Sequence, residues 1–71
     1  MMTSYVQVET VTVNGVAGYF QAALVRSPEQ PCGPLRIVLL GDAPPTNAFG
    51  LARVRAMEHA TRLGVPYVED D

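Results

Sequence analysis

Lysine and tryptophan are absent from this sequence, and cysteine and histidine occur once each. A single cysteine excludes an internal disulfide, and one cysteine with one histidine argues against a zinc site supplied by this chain alone. No stretch reaches the ~18–20 apolar residues of a membrane-spanning helix, and no basic segment followed by an apolar run marks a signal peptide. We therefore expect a cytoplasmic protein without a metal, a cofactor or a membrane span.

Positive charge is also scarce, because five arginines stand against seven acidic residues, which gives a net charge of −2 and a pI of 5.1. Non-specific nucleic-acid binding requires a basic footprint, so this balance argues against a nucleic-acid partner. Arginine without lysine, together with many alanines, valines and prolines, suggests a bacterial or phage source. The function class that these absences leave open is a domain that binds another protein.

The length of 71 residues predicts a single domain over residues 1–71. A domain of this size buries only about 60% of the surface of its unfolded chain, so its stability is marginal. Disulfides, metals or oligomerisation commonly support such small domains, and the composition argues against the first two. We therefore expect a protein partner or self-association.

The clearest predicted element is a helix over residues 46–63, TNAFGLARVRAMEHATRL. Thr46 or Asn47 can cap its first turn through a side-chain oxygen. Gly64 fits the left-handed position after the last turn, and Pro66 blocks continuation. An apolar stripe with three alanines at its centre follows the helical period: Phe49, Ala52, Ala56, Ala60 and Leu63. The small side chains predict that the helix lies close to a sheet.

Three strands are predicted before the helix. Residues 5–13 and 16–25 are rich in β-branched and aromatic residues, and the Asn14-Gly15 pair between them is typical of a type I′ hairpin turn. Residues 35–40, LRIVLL, predict a central strand buried on both faces. Residues 26–34 form a connector that carries Cys32. The expected fold is α+β, an antiparallel three-stranded sheet on one C-terminal helix, with a possible short fourth edge strand at residues 65–68.

The alternation of apolar and polar residues in the first hairpin is inconsistent along its length. A two-residue turn would pair Val13 with Val16 and Val11 with Gly18, but Val6 and Val8 are then out of phase with the apolar face. One extra residue near positions 9–10 would restore the phase, so we predict a β-bulge there. Gly18, inside the second strand, also indicates a bend or a close approach.

No catalytic constellation emerges from the reactive residue types. The serines, His59 and the acidic residues match no nucleophile–base spacing, and Gly41-Asp42 before the helix lacks the glycines and the lysine of a phosphate-binding loop. We therefore predict that the protein is not an enzyme. The enzymatic alternative requires Asp42 and His59 to converge at the start of the helix.

Two surfaces are candidates for binding a protein partner. Leu51 and Val54 lie on the helix side opposite the alanine stripe, next to Arg55, and either are singly exposed apolar residues or form a second apolar face. Tyr5 and Tyr19, with Tyr67, could gather on the sheet face away from the helix, since tyrosine and arginine are favoured at interfaces. Arg53, Arg55 and Arg62 are expected to fan around the helix without forming one basic face.

The run AALVRSPEQPCGPLRIVLLG, the helix and the ending LGVPYVED resemble the cytoplasmic tail domain of the flagellar and type III export switch proteins. The matching positions are Leu24, Pro28, Glu29, Pro34, Gly41, Gly64, Val65, Pro66, Val68 and Glu69. The self-cleaving Asn-Pro-Thr-His motif of that family has no counterpart here, so the resemblance implies no cleavage activity.

Besides the enzymatic alternative, three function hypotheses follow from the sequence. The first is a small non-enzymatic protein-interaction domain, such as a phage or bacterial accessory protein that binds and modulates a larger protein. The second is a nucleic-acid-binding module built from a sheet and a helix, which would need basic residues on the sheet, where Arg26 and Arg36 are available. The third is a fragment-like relative of the type III or flagellar export switch domain.

Overall fold

The computed structural model of the chain describes residues 4–26, 36–41 and 43–69. Three strands, β1 (Ser4–Val13), β2 (Val16–Arg26) and β3 (Arg36–Leu40), are followed by the helix α1 (Phe49–Leu63). The strands form an antiparallel sheet in the order β1-β2-β3, and α1 packs against β1 and β2. This is the predicted α+β fold. The predicted loop position of Cys32 and the position of Asp42 lie outside the described residues.

The hairpin between β1 and β2 has the predicted turn. Asn14 and Gly15 both have positive φ, 51° and 80°, as a type I′ turn requires. Val13 pairs with Val16 across the turn. The Asn-Gly pair therefore closes the hairpin with a turn whose twist matches that of the two strands.

The β-bulge exists, but its predicted position is wrong. Glu9 and Thr10 pair regularly with β2, and the register instead shifts between Val11 and Val13. Val11 pairs with Tyr19 rather than with Gly18, so two residues of β2 stand opposite one residue of β1. Gly18 has a φ of 98°, a conformation that side-chain-bearing residues rarely adopt. The extra residue is therefore accommodated in β2, at the glycine.

This shift brings the apolar residues of both strands onto the face that α1 covers. The core cluster combines residues of β1, β2 and the helix: Val6, Val8, Ala22, Leu24, Ala52, Ala56 and Ala60. The three helix alanines are fully buried, as the stripe predicts, whereas Phe49 and Leu63 at its ends are exposed. Small side chains let the backbone of α1 approach the sheet, so the core is thin.

The helix begins later than predicted, because the chain before it belongs to the sheet. Thr46 forms an isolated antiparallel bridge with Phe20, through two backbone hydrogen bonds of 2.7 and 3.1 Å. The helix therefore starts at Phe49, and Ala48 is the N-cap without a side-chain capping bond. The hydroxyl of Thr46 accepts a hydrogen bond from the Ala48 N–H at 3.1 Å, which fixes the turn into α1.

The C-terminus of α1 ends as predicted at Gly64, which has a φ of 73°. The N–H of Val65 donates to the Ala60 carbonyl at 3.1 Å, and the N–H of Gly64 donates to the Thr61 carbonyl at 3.3 Å. These two bonds form a Schellman motif, which satisfies carbonyls that the helix leaves unpaired. The motif turns the chain back towards β1.

The segment 66–68 then lies beside the outer edge of β1. The N–H of Val6 donates to the Pro66 carbonyl at 2.9 Å, and the N–H of Val68 donates to the Val6 carbonyl at 2.8 Å. Val6 and Tyr67 thus form a single parallel bridge. The possible fourth edge strand is reduced to this bridge, partly because Pro66 has no N–H to continue a ladder.

The prediction that the third strand is central and buried is wrong. β2 is the central strand, and β3 is an edge strand whose residues Ile37, Val38 and Leu39 are 54%, 46% and 51% exposed. An α-helix is about 10–12 Å wide and neighbouring strands are about 4.8 Å apart, so one helix covers two strands. The apolar run correctly predicts a strand, but no element in the described part of the chain covers it.

Candidate interaction surface and adjoining cavity

The side of the sheet away from β1 carries three consecutive exposed apolar side chains. We call Ile37, Val38 and Leu39, with the outer backbone edge of β3, the β3 surface. Val38 pairs with Leu24 and therefore faces the helix side, whereas Ile37 and Leu39 face the opposite side. In the described ranges, no backbone pairs with the outer edge of β3. Within those ranges, both faces of this strand and its outer edge are uncovered.

An edge strand with unpaired backbone groups and large apolar side chains is a place where another strand can add. Proteins commonly protect such edges with lysine, proline or a bulge. Residues 36–40 contain none of these devices, apart from the single charge of Arg36 at one end of the strand. The sequence signal for this surface is the apolar run LRIVLL, which by itself predicts a buried strand.

The predicted helix surface is exposed. Leu51 and Val54 are 46% and 52% exposed on the outer side of α1, and Met57 lies one turn further along. Arg55 does not extend that surface. Its Nη1 donates to the Pro44 carbonyl at 3.3 Å, on the side of the helix that faces β3. Partner binding by Leu51 and Val54 stays a prediction.

The predicted tyrosine cluster does not form. Tyr5 and Tyr19 share the sheet face away from the helix, but they lie at opposite ends of the hairpin. Tyr19 pairs with Val11, six residues along β1 from Tyr5, which corresponds to roughly 20 Å. Tyr67 packs against the helix-side core instead. Tyr5 and Tyr19 are therefore separate on this outer face and do not form one patch.

A cavity of about 340 Å³ lies between α1, the end of β3 and the loop before the helix. Its floor is apolar, formed by Phe20, Ala22, Leu40 and Ala52. It exists because α1 covers β1 and β2 and leaves the helix side of β3 open. Its volume falls in the range of small-molecule sites, about 300–1,000 Å³.

The helical rim of this cavity carries three nitrogen-rich side chains. Arg55, His59 and Arg62 follow one another at spacings of four and three residues, which places them along one side of α1. The expectation that the helix arginines share no face is therefore corrected for Arg55 and Arg62. The spacing of these three residues in the sequence was sufficient to predict that they share one side of the helix.

Arg53 lies on the other side of the helix, where it holds the C-terminal segment. Its Nε is 2.8 Å from Oε1 of Glu69, and its Nη2 donates to Oε2 at 3.1 Å, so the pair is bidentate. The hydroxyl of Tyr67 donates to Oε1 of Glu69 at 3.5 Å. Burial, and then the Glu69 carboxylate, raise the pKa of the Tyr67 phenol above its ordinary value, while Arg53 opposes the shift.

The described residues contain no group of three or more His, Cys, Asp or Glu side chains that could hold a metal ion. None of the described helices has the length and apolarity that a bilayer crossing requires. The convergence of Asp42 with His59, which the enzymatic alternative requires, falls outside the described residues. His59 itself lies beside the end of β3, where a Cβ built on Gly41 would be 3.6 Å from its Nε2.

Comparison with family models, with curated proteins and with solved structures gives no match. The likeness to the export switch domain therefore stays a resemblance of sequence patterns. The β3 surface and the adjoining cavity are therefore the features that bear on function.

Proposed function

We propose that this protein is a non-enzymatic protein-interaction domain that binds through the β3 surface. The observation that carries the proposal is the exposure of three consecutive large apolar residues on an edge strand. Strand addition would pair the outer backbone groups of β3 and cover side chains on both of its faces. The occupant that we propose is the β3 strand of a second copy.

The sequence of β3 is compatible with antiparallel pairing to itself. A two-fold axis through Val38 places Val38 opposite its own copy, Ile37 opposite Leu39, and Arg36 opposite Leu40. No like charges meet in this register, because the two arginines lie at opposite ends of the pair. A two-fold interface requires such a self-complementary patch.

The thin core supports the same proposal. Seven residues form the cluster under α1, and four of them are alanines. Burial of Ile37, Val38 and Leu39 in a dimer would add apolar burial at about 25 cal/mol per Å². Because the contact is a short strand, we expect a weak dimer with a dissociation constant on the order of micromolar.

The nucleic-acid alternative gains no support from the sheet. Arg26 and Arg36 pair with each other in the register and lie on the helix side. On the opposite face, the charged residue among the described strand positions is Glu9. A sheet that docked nucleic acid through this face would need the opposite charge.

The test substitutes lysine for one valine in each of two surfaces. Val38→Lys places two like charges at the two-fold axis, whereas Val54→Lys adds the same side chain to the exposed outer face of α1. Sedimentation equilibrium from roughly 1 to 500 µM, which brackets micromolar affinity, should show a reversible dimer for the unchanged protein and for Val54→Lys. Val38→Lys should sediment as a monomer.

Two outcomes would overturn this proposal. One is an unchanged protein that is monomeric over the whole concentration range. The other is a dimer that Val54→Lys dissociates and Val38→Lys leaves intact, which would place the interface on the Leu51 and Val54 face of the helix. Circular dichroism of both variants checks that the lysine has not unfolded the chain.

A further inference from the structure

We propose that the cavity beside β3 is a binding site for small organic anions that combine a carboxylate with an apolar body. This site is separate from the backbone edge that pairs strands. The apolar floor and the cationic helical rim are two different environments within one cavity of about 340 Å³. An amphipathic anion is the ligand class that uses both.

The floor suits an apolar group of limited size. Ala22 and Ala52 are buried, and Phe20 and Leu40 are partly buried against the same core. The ring of Phe20 meets the ring of Phe49 edge to face, with centroids 5.3 Å apart. This contact holds the Phe20 ring in place, so that part of the floor is formed before a ligand arrives.

The rim suits a carboxylate. An arginine guanidinium presents a planar fork of N–H donors that matches the two oxygens of a carboxylate. The hydrogen bond from Arg55 to the Pro44 carbonyl, at 3.3 Å, restrains one guanidinium at the cavity and lowers the entropic cost of ordering it on binding. His59 and Arg62 supply further N–H donors on the same side of α1.

Among the described residues that line the cavity, the charged side chains are cationic, whereas the whole chain has a net negative charge. The protein carries a net charge of −2, so general attraction of polyanions does not explain an anion at this place. Arg53, on the same helix, already has a bidentate partner in Glu69. It is therefore a matched control for the arginines that line the cavity.

The experiment uses 4-phenylbutyrate as the probe, its neutral amide as an isosteric control, and acetate as an anion without an apolar body. Binding is followed by changes in the amide shifts of the whole chain in two-dimensional NMR. For an open site of this size we expect 4-phenylbutyrate to bind with a dissociation constant on the order of 1 mM. The shifts should centre on Gln21, Gly41 and His59.

The amide and acetate should each bind roughly tenfold more weakly, because each lacks one half of the recognised chemistry. Arg62→Gln should weaken the binding of 4-phenylbutyrate by roughly the same factor, while Arg53→Gln should leave the affinity for this probe unchanged. Arg55→Gln should also weaken binding. Since Arg55 also contacts the loop, Arg62→Gln is the deciding variant if Arg55→Gln disturbs the fold.

Three results would overturn the inference: no saturable shift at the cavity residues, equal affinity for the acid and the amide, or equal losses from Arg53→Gln and Arg62→Gln. The same titration on Val38→Lys separates the two proposals. That variant should still bind the probe as a monomer, so loss of the dimer and loss of the anion site are distinguishable.

Discussion

The three alanines of α1 determine how closely the helix approaches the sheet. Ala52, Ala56 and Ala60 recur at intervals of four residues, and all three are buried. Because their side chains end at Cβ, only a methyl group separates the helix backbone from the side chains of the sheet at these positions. A close-packed interior responds to a single added methylene, so these positions should tolerate little change.

Ala56 lies at the middle of this contact and has no exposed surface. We expect Ala56→Leu to lower the free energy of unfolding by roughly 1–3 kcal/mol, because the larger side chain forces the helix away from the sheet. Val54→Leu, a change of similar chemistry on the exposed side of α1, should stay within about 0.5 kcal/mol of the unchanged protein. Urea unfolding measures both values, and equal effects would contradict the role of the alanine stripe.

The phenol of Tyr67 provides a second prediction at the scale of one residue. Its raised pKa means that the folded state holds the proton more tightly than the unfolded state does. The free energy of unfolding should therefore be unaffected below about pH 10, the ordinary tyrosine pKa, and should fall as the pH rises beyond it.

Burial is the larger cause of the raised Tyr67 pKa, and Glu69→Gln tests the contribution of the Glu69 carboxylate. Glu69 raises the pKa of Tyr67 and also engages Arg53, which lowers it. The substitution should therefore lower the pKa of Tyr67, as measured by the chemical shift of its Cζ during an alkaline titration. Glu58→Gln, on the outer side of α1, is the control and should leave the titration unchanged. If the pKa of Tyr67 were unchanged in Glu69→Gln, the contact between Tyr67 and Glu69 would be contradicted.

The ends of the helix show how two glycines in one element can have opposite roles. Gly64 terminates α1 with a φ of 73°, whereas Gly50 lies in the first turn without a positive φ. Neither glycine has a heavy atom within 4 Å of an added Cβ, so space does not distinguish them. The backbone conformation alone should decide the effect of alanine.

We expect Gly64→Ala to lower the free energy of unfolding by about 1–2 kcal/mol, which is the cost of a left-handed conformation for a residue with a Cβ. Gly50→Ala should raise it by about 0.5 kcal/mol, because alanine restricts the unfolded chain and favours the helix. Thermal unfolding of the two variants should thus shift in opposite directions. A loss of stability in Gly50→Ala would show that the first turn needs the glycine for another reason.

The hairpin, the helix and its ending were predictable because each depends on local chemistry. Asn14-Gly15 determines its turn by positive φ, and Gly64 with Pro66 determines the end of α1. The start of α1 was not predictable from local signals, since Thr46 is held by its backbone bonds to Phe20. The position of the bulge depended on which strand could absorb an extra residue, and Gly18 decided it.

Neither the exposure of β3 nor the cavity could be predicted from the sequence, and the reason is geometric. An apolar run indicates that a strand can be buried, but whether it is buried depends on the number and width of the elements above it. Among the described elements, one helix covers two strands and leaves the third uncovered, and the space beside it is the cavity. The spacing of Arg55, His59 and Arg62 indicated their shared side of the helix, but not that a cavity would face them.

At the scale of the whole molecule, the thin core makes stability sensitive to association. If the β3 surface pairs with a second copy, the dimer is favoured by concentration, and unfolding must also separate the two chains. We expect the melting temperature of the unchanged protein to rise between roughly 5 and 500 µM, a range that spans the expected micromolar dissociation constant. Val38→Lys should melt at a temperature that does not depend on concentration, and an equally steep dependence in that variant would contradict the proposal.

The bridge at Val6 bears on how far such an assembly can extend. A sheet that adds strands at both edges grows without limit into a fibre. Here the chain's own segment 66–68 occupies the edge of β1 at Val6, and Pro66 offers no N–H to a further strand. Pairing through β3 would place β1 at both outer edges of a six-stranded sheet, and at each of those edges the chain's own segment already pairs with Val6.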